Sequence, residues 1–285
     1  MKIRISADST ADLSQELLTK YNISTMPLCV SLGDSNYIDG ETIKPDDIYE
    51  FYAKTKKLPK TGARSAEEYR EFFQGMLDEG YDAVVHFTSS ADMSASFANA
   101  EAASREFDNV FVVDSRQLST GIGLLVLDAC DMALQGMSAK DIYERATSRT
   151  AATKSSFIVD TLEFLYKGGR CSSLAYLGAN LLQIKPCLEV KNGLIGVESK
   201  PMGRYRRCVA KYCAAIKEKM TNPDPKRCFV THTKMDEGIA EEVVETVKSW
   251  GIFDEVLETT AGCTVTTHCG ANTIGILYIN DGGLK

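Results

Sequence analysis

Tyr81–Thr88 (YDAVVHFT) and Asn109–Asp114 (NVFVVD) are nearly uninterrupted apolar runs of strand length, and each is followed by a segment long enough for a helix. A strand can be apolar on both faces only where both faces are covered, and in an alternating strand–helix order that means a parallel sheet wrapped by helices. The rest of the first half keeps this rhythm. Lys2–Ala7 is an alternating apolar strand, and Ser9 with Asp12 three residues on is expected to form a capping box for a helix through Tyr21. Pro45 suits the first turn of a helix through Ala53, and Ser65 with Glu68 makes a second box ahead of Tyr69–Glu79, which Gly80 ends. Helices are expected from about Ser94 to Phe107 and from Gly121 to Gln135.

From about Thr153 the pattern changes. Asp160–Tyr166 and Leu174–Gln183 read as helices, and Cys187–Val190 with Leu194–Glu198 as a hairpin turning at Asn192-Gly193. Helix Arg207–Met220, strand Arg227–His232, helix Gly238–Trp250, and strands Asp254–Thr259 and Thr273–Ile279 follow. A chain of 285 residues exceeds the usual single domain. The expected fold class is therefore an N-terminal parallel-sheet α/β domain, 1–152, and a C-terminal α+β domain, 153–285, with the boundary within Ala146–Ser156.

Composition narrows the function classes. A formal charge of −7 opposes a nucleic acid backbone, and the only dense basic run, Arg204, Arg206 and Arg207, suits a small anion or a protein partner better. Nine cysteines lie scattered through apolar segments with no signal peptide, and read as reduced core thiols. Cys263 and Cys269 flank His268, but no pair has metal-finger spacing and the chain holds three histidines, so no metal or cofactor is expected. Met1, Lys2 and Arg4 lead straight into a strand and no apolar run reaches the ~18 residues of a membrane span, which predicts a cytoplasmic protein. Phosphate-loop, Gly-x-Gly-x-x-Gly, Gly-x-Ser-x-Gly and His-Glu-x-x-His signatures are all missing.

Ligands of open parallel sheets bind at the carboxyl ends of the strands, so the hydroxyl-rich loops Asp8–Thr10, Ser89–Ser96 and Asp114–Thr120 are expected to converge. In SSADMSAS the helix that follows can offer free N–H groups to an anion, or Ser94 or Ser96 can simply cap that helix. Thr61, in KTGARS, is a ligand hydroxyl or a turn residue. His268, in TTHCGANTIG, lies between hydroxyls and glycines and is functional or structural. Lys167-Gly168-Gly169-Arg170 offers a basic side chain on a flexible turn, or a solvated charge. A small hydrolase or phosphatase using Asp8 and His268 is the rival class; its acid chemistry calls for a second acid two residues after Asp8, where Thr10 stands.

Taken together the motifs resemble the DegV proteins, the fatty-acid-binding (FakB-type) subunits of bacterial fatty acid kinase, over essentially the whole length. Asp8-Ser9-Thr10-Ala11-Asp12-Leu13 is similar to the opening DST-x-DL, Ser90 to Ala100 to the serine-rich loop, and Asp114-Ser115 with Gly121 and Gly123 to VDS…S-x-G-x-G. Leu162 to Arg170 is similar to L-x-x-L-x-K-G-G-R, Leu181 to Pro186 to LL-x-IKP, and Thr267-His268-Cys269-Gly270 with Gly275 to THxGPGxxG. The resemblance implies a lipid tunnel between two domains and a carrier that is not itself an enzyme. It further implies that Thr61 and Ser94 hold the carboxylate of a long-chain fatty acid, with the N–H groups of Ala95 and Ser96 and with His268 close by. Arg170 would face the phosphoryl group or a dihydroxyacetone-kinase-like partner subunit, with Arg204 standing in for the family's basic position after the hairpin. Transient contact with a membrane surface would follow from the cargo, and another anionic lipid is the alternative ligand. The Thr61 loop reads Thr-Gly-Ala-Arg-Ser where the family commonly has Thr-Ser-Gln-Pro-Ser, Ala95-Ser96 replaces Gly-Thr, and Ala271-Asn272 replaces Pro-Gly.

Overall fold

Four parallel strands form the first sheet of the computed structural model, which describes residues 1–171 and 184–283. Their order is β2 (Ser24–Met26), β1 (Ile3–Asp8), β6 (Ala83–Thr88), β7 (Val110–Asp114). Alternation along β6 explains why it is apolar throughout. Val84 packs with Tyr69, Phe73 and Met76 of α3 (Ala66–Asp78) and with Ala100 and Ala103 of α4 (Ser96–Ser104), while Val85 and Phe87 turn to the opposite face, against α5 (Thr120–Leu134).

The second sheet has six strands in the order β10 (Leu194–Ser199), β9 (Cys187–Lys191), β8 (Thr153–Val159), β13 (Thr273–Ile279), β11 (Arg227–His232), β12 (Glu255–Thr260), antiparallel except for the β11–β12 pair. Helices α8 (Tyr205–Lys219) and α9 (Ile239–Ser249) cover one face of it. A small third sheet, β4 (Ser35–Ile38), β3 (Cys29–Leu32), β5 (Lys60–Gly62), projects from the first half and pairs Thr61 with Val30. This is a parallel-sheet N-terminal domain joined to a sheet-rich C-terminal one.

Helix α5 binds the two halves together. Its buried side chains share one apolar cluster with Ile5 and Val85 of the first sheet and with Phe229, Leu277 and Ile279 of the second. Gly121 allows that approach: a Cβ there would lie 2.2 Å from Ser155 Oγ on β8. The helix is apolar around most of its circumference because it is packed there, and its two acids, Asp128 and Asp131, meet arginines.

Several expectations need correction. The Ser9–Asp12 capping box does not form: Ser9–Ala11 is a single 3₁₀ turn, Asp12 adopts a left-handed conformation (φ 50°), and α1 (Gln15–Tyr21) is capped by Ser14, whose Oγ accepts from Leu17 N at 3.3 Å. Asp12 is drawn away by contacts with residues more than a hundred positions distant, described below. Helix α6 (Ala139–Arg149) went unread, although Ser138 caps it by accepting from Asp141 N, and so did strand β8. His268 lies not in a loop but on α10 (Cys263–Cys269), a helix of β-branched and cysteine residues with poor helix propensity. The second capping box does form, with Ser65 N donating to Glu68 Oε2 at 2.7 Å and Glu68 N to Ser65 Oγ at 3.2 Å, and α2 (Pro45–Thr55) starts at Pro45. α7 covers Glu163–Gly168. The helix expected over Leu174–Gln183 lies outside the described residues, as does most of the Leu181–Pro186 motif.

The hairpin turns where the Asn-Gly pair foretells it, with Asn192 at φ 51° and Gly193 at φ 81°. Its tip is held by the first domain: Ser90 Oγ donates to Gly193 O at 2.7 Å, and the Arg116 guanidinium to Asn192 O. A Cβ on Gly193 would sit 2.6 Å from both Arg116 Cζ and Ser90 Oγ. Gly193→Ala should therefore lower the unfolding free energy by about 1–3 kcal/mol, through left-handed strain and overpacking. Urea denaturation should show the midpoint fall with an unchanged slope.

Candidate ligand site between the domains

The three loops at the carboxyl ends of the parallel strands do converge. Thr10 Oγ1 and Ser89 Oγ are 2.8 Å apart, Ser90 N donates to Gln117 O, and Ala91 N donates to Asp114 Oδ1. They form one wall of a cavity of about 290 Å³ whose other wall comes from the second half, with Leu165, Ile195 and Val265 facing Leu28, Met93 and Leu118. Most of the lining is apolar. The polar exceptions include Thr61, Ser94, Arg170 and His268.

Each arrives on a different element. Thr61 sits on β5, and its Oγ1 lies 2.8 Å from His268 Nε2 on α10, a contact across 207 positions of sequence. Ser94 sits ahead of α4; its Oγ accepts from Ser96 N at 3.1 Å and donates to Ser96 Oγ at 3.0 Å. Ser94 thus lies one residue ahead of the N-cap, Ala95, where it bonds the first N–H of α4 without serving as its N-cap, while still lining the cavity. Ala95 lines it too, whereas Ser96 is fully buried and is not among the lining residues. Arg170 reaches the cavity rim and donates to Gly168 O at 2.9 Å. Arg204 stands apart, exposed at the N-cap of α8 and away from the cavity wall.

The His268 ring is crowded by protein atoms, so burial, reinforced by the Arg170 cation, lowers its pKa from 6.5 to about 4. At neutral pH it is uncharged. Its Nδ1 is buried with no hydrogen-bond partner among the described residues, and a Cβ on Gly168 would lie 2.6 Å from it. An orphaned N–H costs more than an under-used lone pair, which selects the tautomer with the proton on Nε2. Nε2 then donates to Thr61 Oγ1, and the Thr61 hydroxyl proton is left to point at a ligand. Thr61 and the Ala95 N–H are donors, Ser94 becomes one when its hydroxyl proton turns away from Ser96 Oγ, and Arg170 supplies the charge. That set can accept an anion within a mostly apolar space.

Asp8 offers no comparable access. It is fully buried, accepting from Tyr69 Oη at 2.6 Å and Ser89 N at 3.3 Å, with His86 Nε2 3.3 Å away. His86 Nδ1 in turn lies 3.0 Å from Ser6 Oγ, so Ser6, His86 and Asp8 line up like a hydrolytic triad. All three are sealed in the interior, with Tyr69, Phe72 and Phe73 rings packed around the imidazole, and none lines the cavity. Among the described residues no group of three or more His, Cys, Asp or Glu could hold a metal ion, and no helix is long and apolar enough to cross a membrane. Among the described residues no disulfide joins the cysteines.

Sequence reasoning missed the direct Thr61–His268 hydrogen bond, the resemblance implying only that both lie near the carboxylate, and the lining by Thr264, Val265 and Cys269 of α10. No local pattern announces a pairing between a turn at 61 and a helix at 268.

Comparison with known proteins places the architecture. The family model that matches, over residues 2–281, is described as "Uncharacterised protein, DegV family". A DegV domain-containing protein of Clostridium perfringens is 30% identical over 284 residues, covering 98% of this chain and 99% of its own. A Thermotoga maritima protein named fatty acid-binding protein is 30% identical over 281 residues, 96% of each chain. Among solved structures, a fatty-acid-binding DegV family protein from Thermus thermophilus aligns at TM-score 0.90 and 28% identity, over 99% of this chain and 100% of its own. A stearic acid-binding protein from Eubacterium ventriosum aligns at TM-score 0.83 and 27% identity, over 98% of both.

Proposed function

The chain belongs to the DegV family, and from that premise we propose that it is a cytoplasmic carrier that holds one long-chain fatty acid in the interdomain cavity and presents its carboxylate to a partner kinase for conversion to an acyl phosphate. The observation that carries this reading is the make-up of the cavity, apolar over most of its wall with Thr61 bonded to His268 and with Ser94 and Arg170 among its polar positions. The relatives named for fatty acid binding support the cargo. Arg170, exposed and lining the cavity, supports the kinase step.

Tail and head have separate tasks. Burying about fifteen methylenes at ~0.8 kcal/mol each yields on the order of 12 kcal/mol before the costs of association. The tail gives affinity. Charge-assisted hydrogen bonds from Thr61, Ser94 and the Ala95 N–H, each ~1.5–3 kcal/mol, fix which end faces outward. For transfer, a carboxylate oxygen attacks the terminal phosphorus of a nucleoside triphosphate held by the partner, the bond to the bridging oxygen breaks, and the nucleoside diphosphate leaves. This chain contributes orientation, with Arg170 offsetting developing negative charge.

Mass spectrometry of an organic extract of detergent-free protein, beside native mass spectrometry of the intact chain, should show one fatty acid per chain. Thr61→Ala with Ser94→Ala should speed exchange of that lipid by about two to four orders of magnitude, corresponding to the loss of two such bonds. Stoichiometric retention and unchanged exchange in the double variant would refute the head-group assignment; an empty wild-type protein or a different bound amphiphile would refute the cargo.

A further inference from the structure

We infer that Asp39 and Asp12 are positioning residues for the ligand site: two carboxylates of the first domain hold the N-terminus of α10 and thereby set His268 against Thr61. Both are nearly fully buried. Asp39 Oδ1 accepts from Cys263 N at 2.9 Å, and its Oδ2 accepts from Thr264 N at 3.2 Å, Thr264 Oγ1 at 2.7 Å and Ser9 Oγ at 3.0 Å. Asp12 Oδ1 accepts from Gly262 N at 2.8 Å, and its Oδ2 accepts from Ser119 Oγ at 2.5 Å. Three consecutive N–H groups at the start of α10 are thus satisfied by side chains more than 200 positions away.

α10 has no means of doing this itself. Its N-cap is Gly262, its first turn holds no acid, and seven residues are too few for a stable isolated helix. Yet the same helix contributes Thr264, Val265, His268 and Cys269 to the cavity wall. The opening motif finds its use here as well: Ser9 donates to Asp39 and Asp12 is the second carboxylate, whereas Asp8, the aspartate of the phosphatase reading, stays in the interior with Tyr69 and His86. Because His268 serves the carboxylate through Thr61, the inference rests on the head-group reading above, and its test is made to be read without any ligand.

The chain has three histidines, so the imidazole signals of His86, His232 and His268 can be assigned and titrated by NMR in lipid-free protein. In Asp39→Asn, which loses acceptor capacity but keeps shape, the His268 midpoint should rise by about one pH unit from its low value as α10 loosens and the ring is hydrated. Lipid exchange should accelerate about fivefold, the equivalent of one lost cap. Ser9→Ala, outside the cavity, should move both in the same direction by less, and it keeps the test decisive if Asp39→Asn does not fold. Ser14→Ala, which removes the cap of α1, should cost similar stability and leave the His268 titration in place. Unchanged His268 titration in folded Asp39→Asn or Ser9→Ala protein, or an equal shift in Ser14→Ala, would overturn the inference. Absence of bound fatty acid in the wild type would instead strike the carrier reading, with the NMR result still standing.

Discussion

Arg149→Ala is expected to destabilise the protein by about 3–5 kcal/mol, the cost of leaving buried carboxylates without their cation. Arg149, at the end of α6, donates to Asp128 on α5, to Asp224 Oδ2 at 2.7 Å, and to both carboxylate oxygens of Asp281 at 2.8 Å. Beside it Arg227 of β11 pairs with Asp131 on α5 and with Glu255 on β12 at 3.1 Å. These ions tie the helices of the first half to the sheet of the second, so the loss is an interdomain one. The deficit should depend on pH. Burial pushes the Asp128 carboxyl up to about 7 even with Arg149 present. A carboxyl so raised contributes stability that is present at low pH and lost as pH rises through about 7. Without Arg149 its charge is still harder to bury, so the deficit should be smaller at pH 5 than at pH 8. Equal urea midpoints for variant and wild type at pH 8 would show that the network contributes nothing net.

The fold was legible wherever the signal was local. The runs at 81–88 and 109–114 state a parallel sheet because nothing else covers both faces, and Asn192-Gly193 names its turn. What stayed hidden depended on partners far along the chain. Asp12, three residues after Ser9, looks like half of a capping box, but Gly262 and Ser119 claim its oxygens. CTVTTHC reads as anything but a helix, and it becomes one because Asp39 and Asp12 supply the cap that its own sequence lacks. The site divides the same way. Thr61, Ser94, Ala95, Arg170 and His268 were individually visible and do line one cavity, while their mutual geometry was not. Arg204, chosen for its charge, stands at the N-cap position of α8 without a side-chain capping bond, away from the cavity.

Acid should destabilise the wild type more than a His268→Gln variant, by ~3 kcal/mol between pH 7 and pH 4. In the unfolded chain this imidazole takes its proton near 6.5, whereas in the folded chain burial and Arg170 delay it to about 4. A base with a depressed folded pKa gives stability that is complete above 6.5 and is lost as pH falls through 4, because over that window only the unfolded state gains the proton. Other groups titrate in the same range: Asp12 and Asp128, both raised to about 7 by burial, act with the opposite sign. They are common to both proteins, so the wild-type-minus-variant difference isolates the histidine. Denaturation in urea at half-unit pH steps should show that difference shrinking steadily below pH 6.5, and a difference flat with pH would mean that the ring is hydrated and that its link to Thr61 is loose. Loading with fatty acid adds a second test on the same curve. A carboxylate held beside Thr61 favours the imidazolium, so the folded midpoint should rise and the acid penalty shrink in loaded protein. If loading leaves the curve where it was, the carboxylate lies elsewhere in the cavity and Thr61 and His268 serve the fold rather than the cargo.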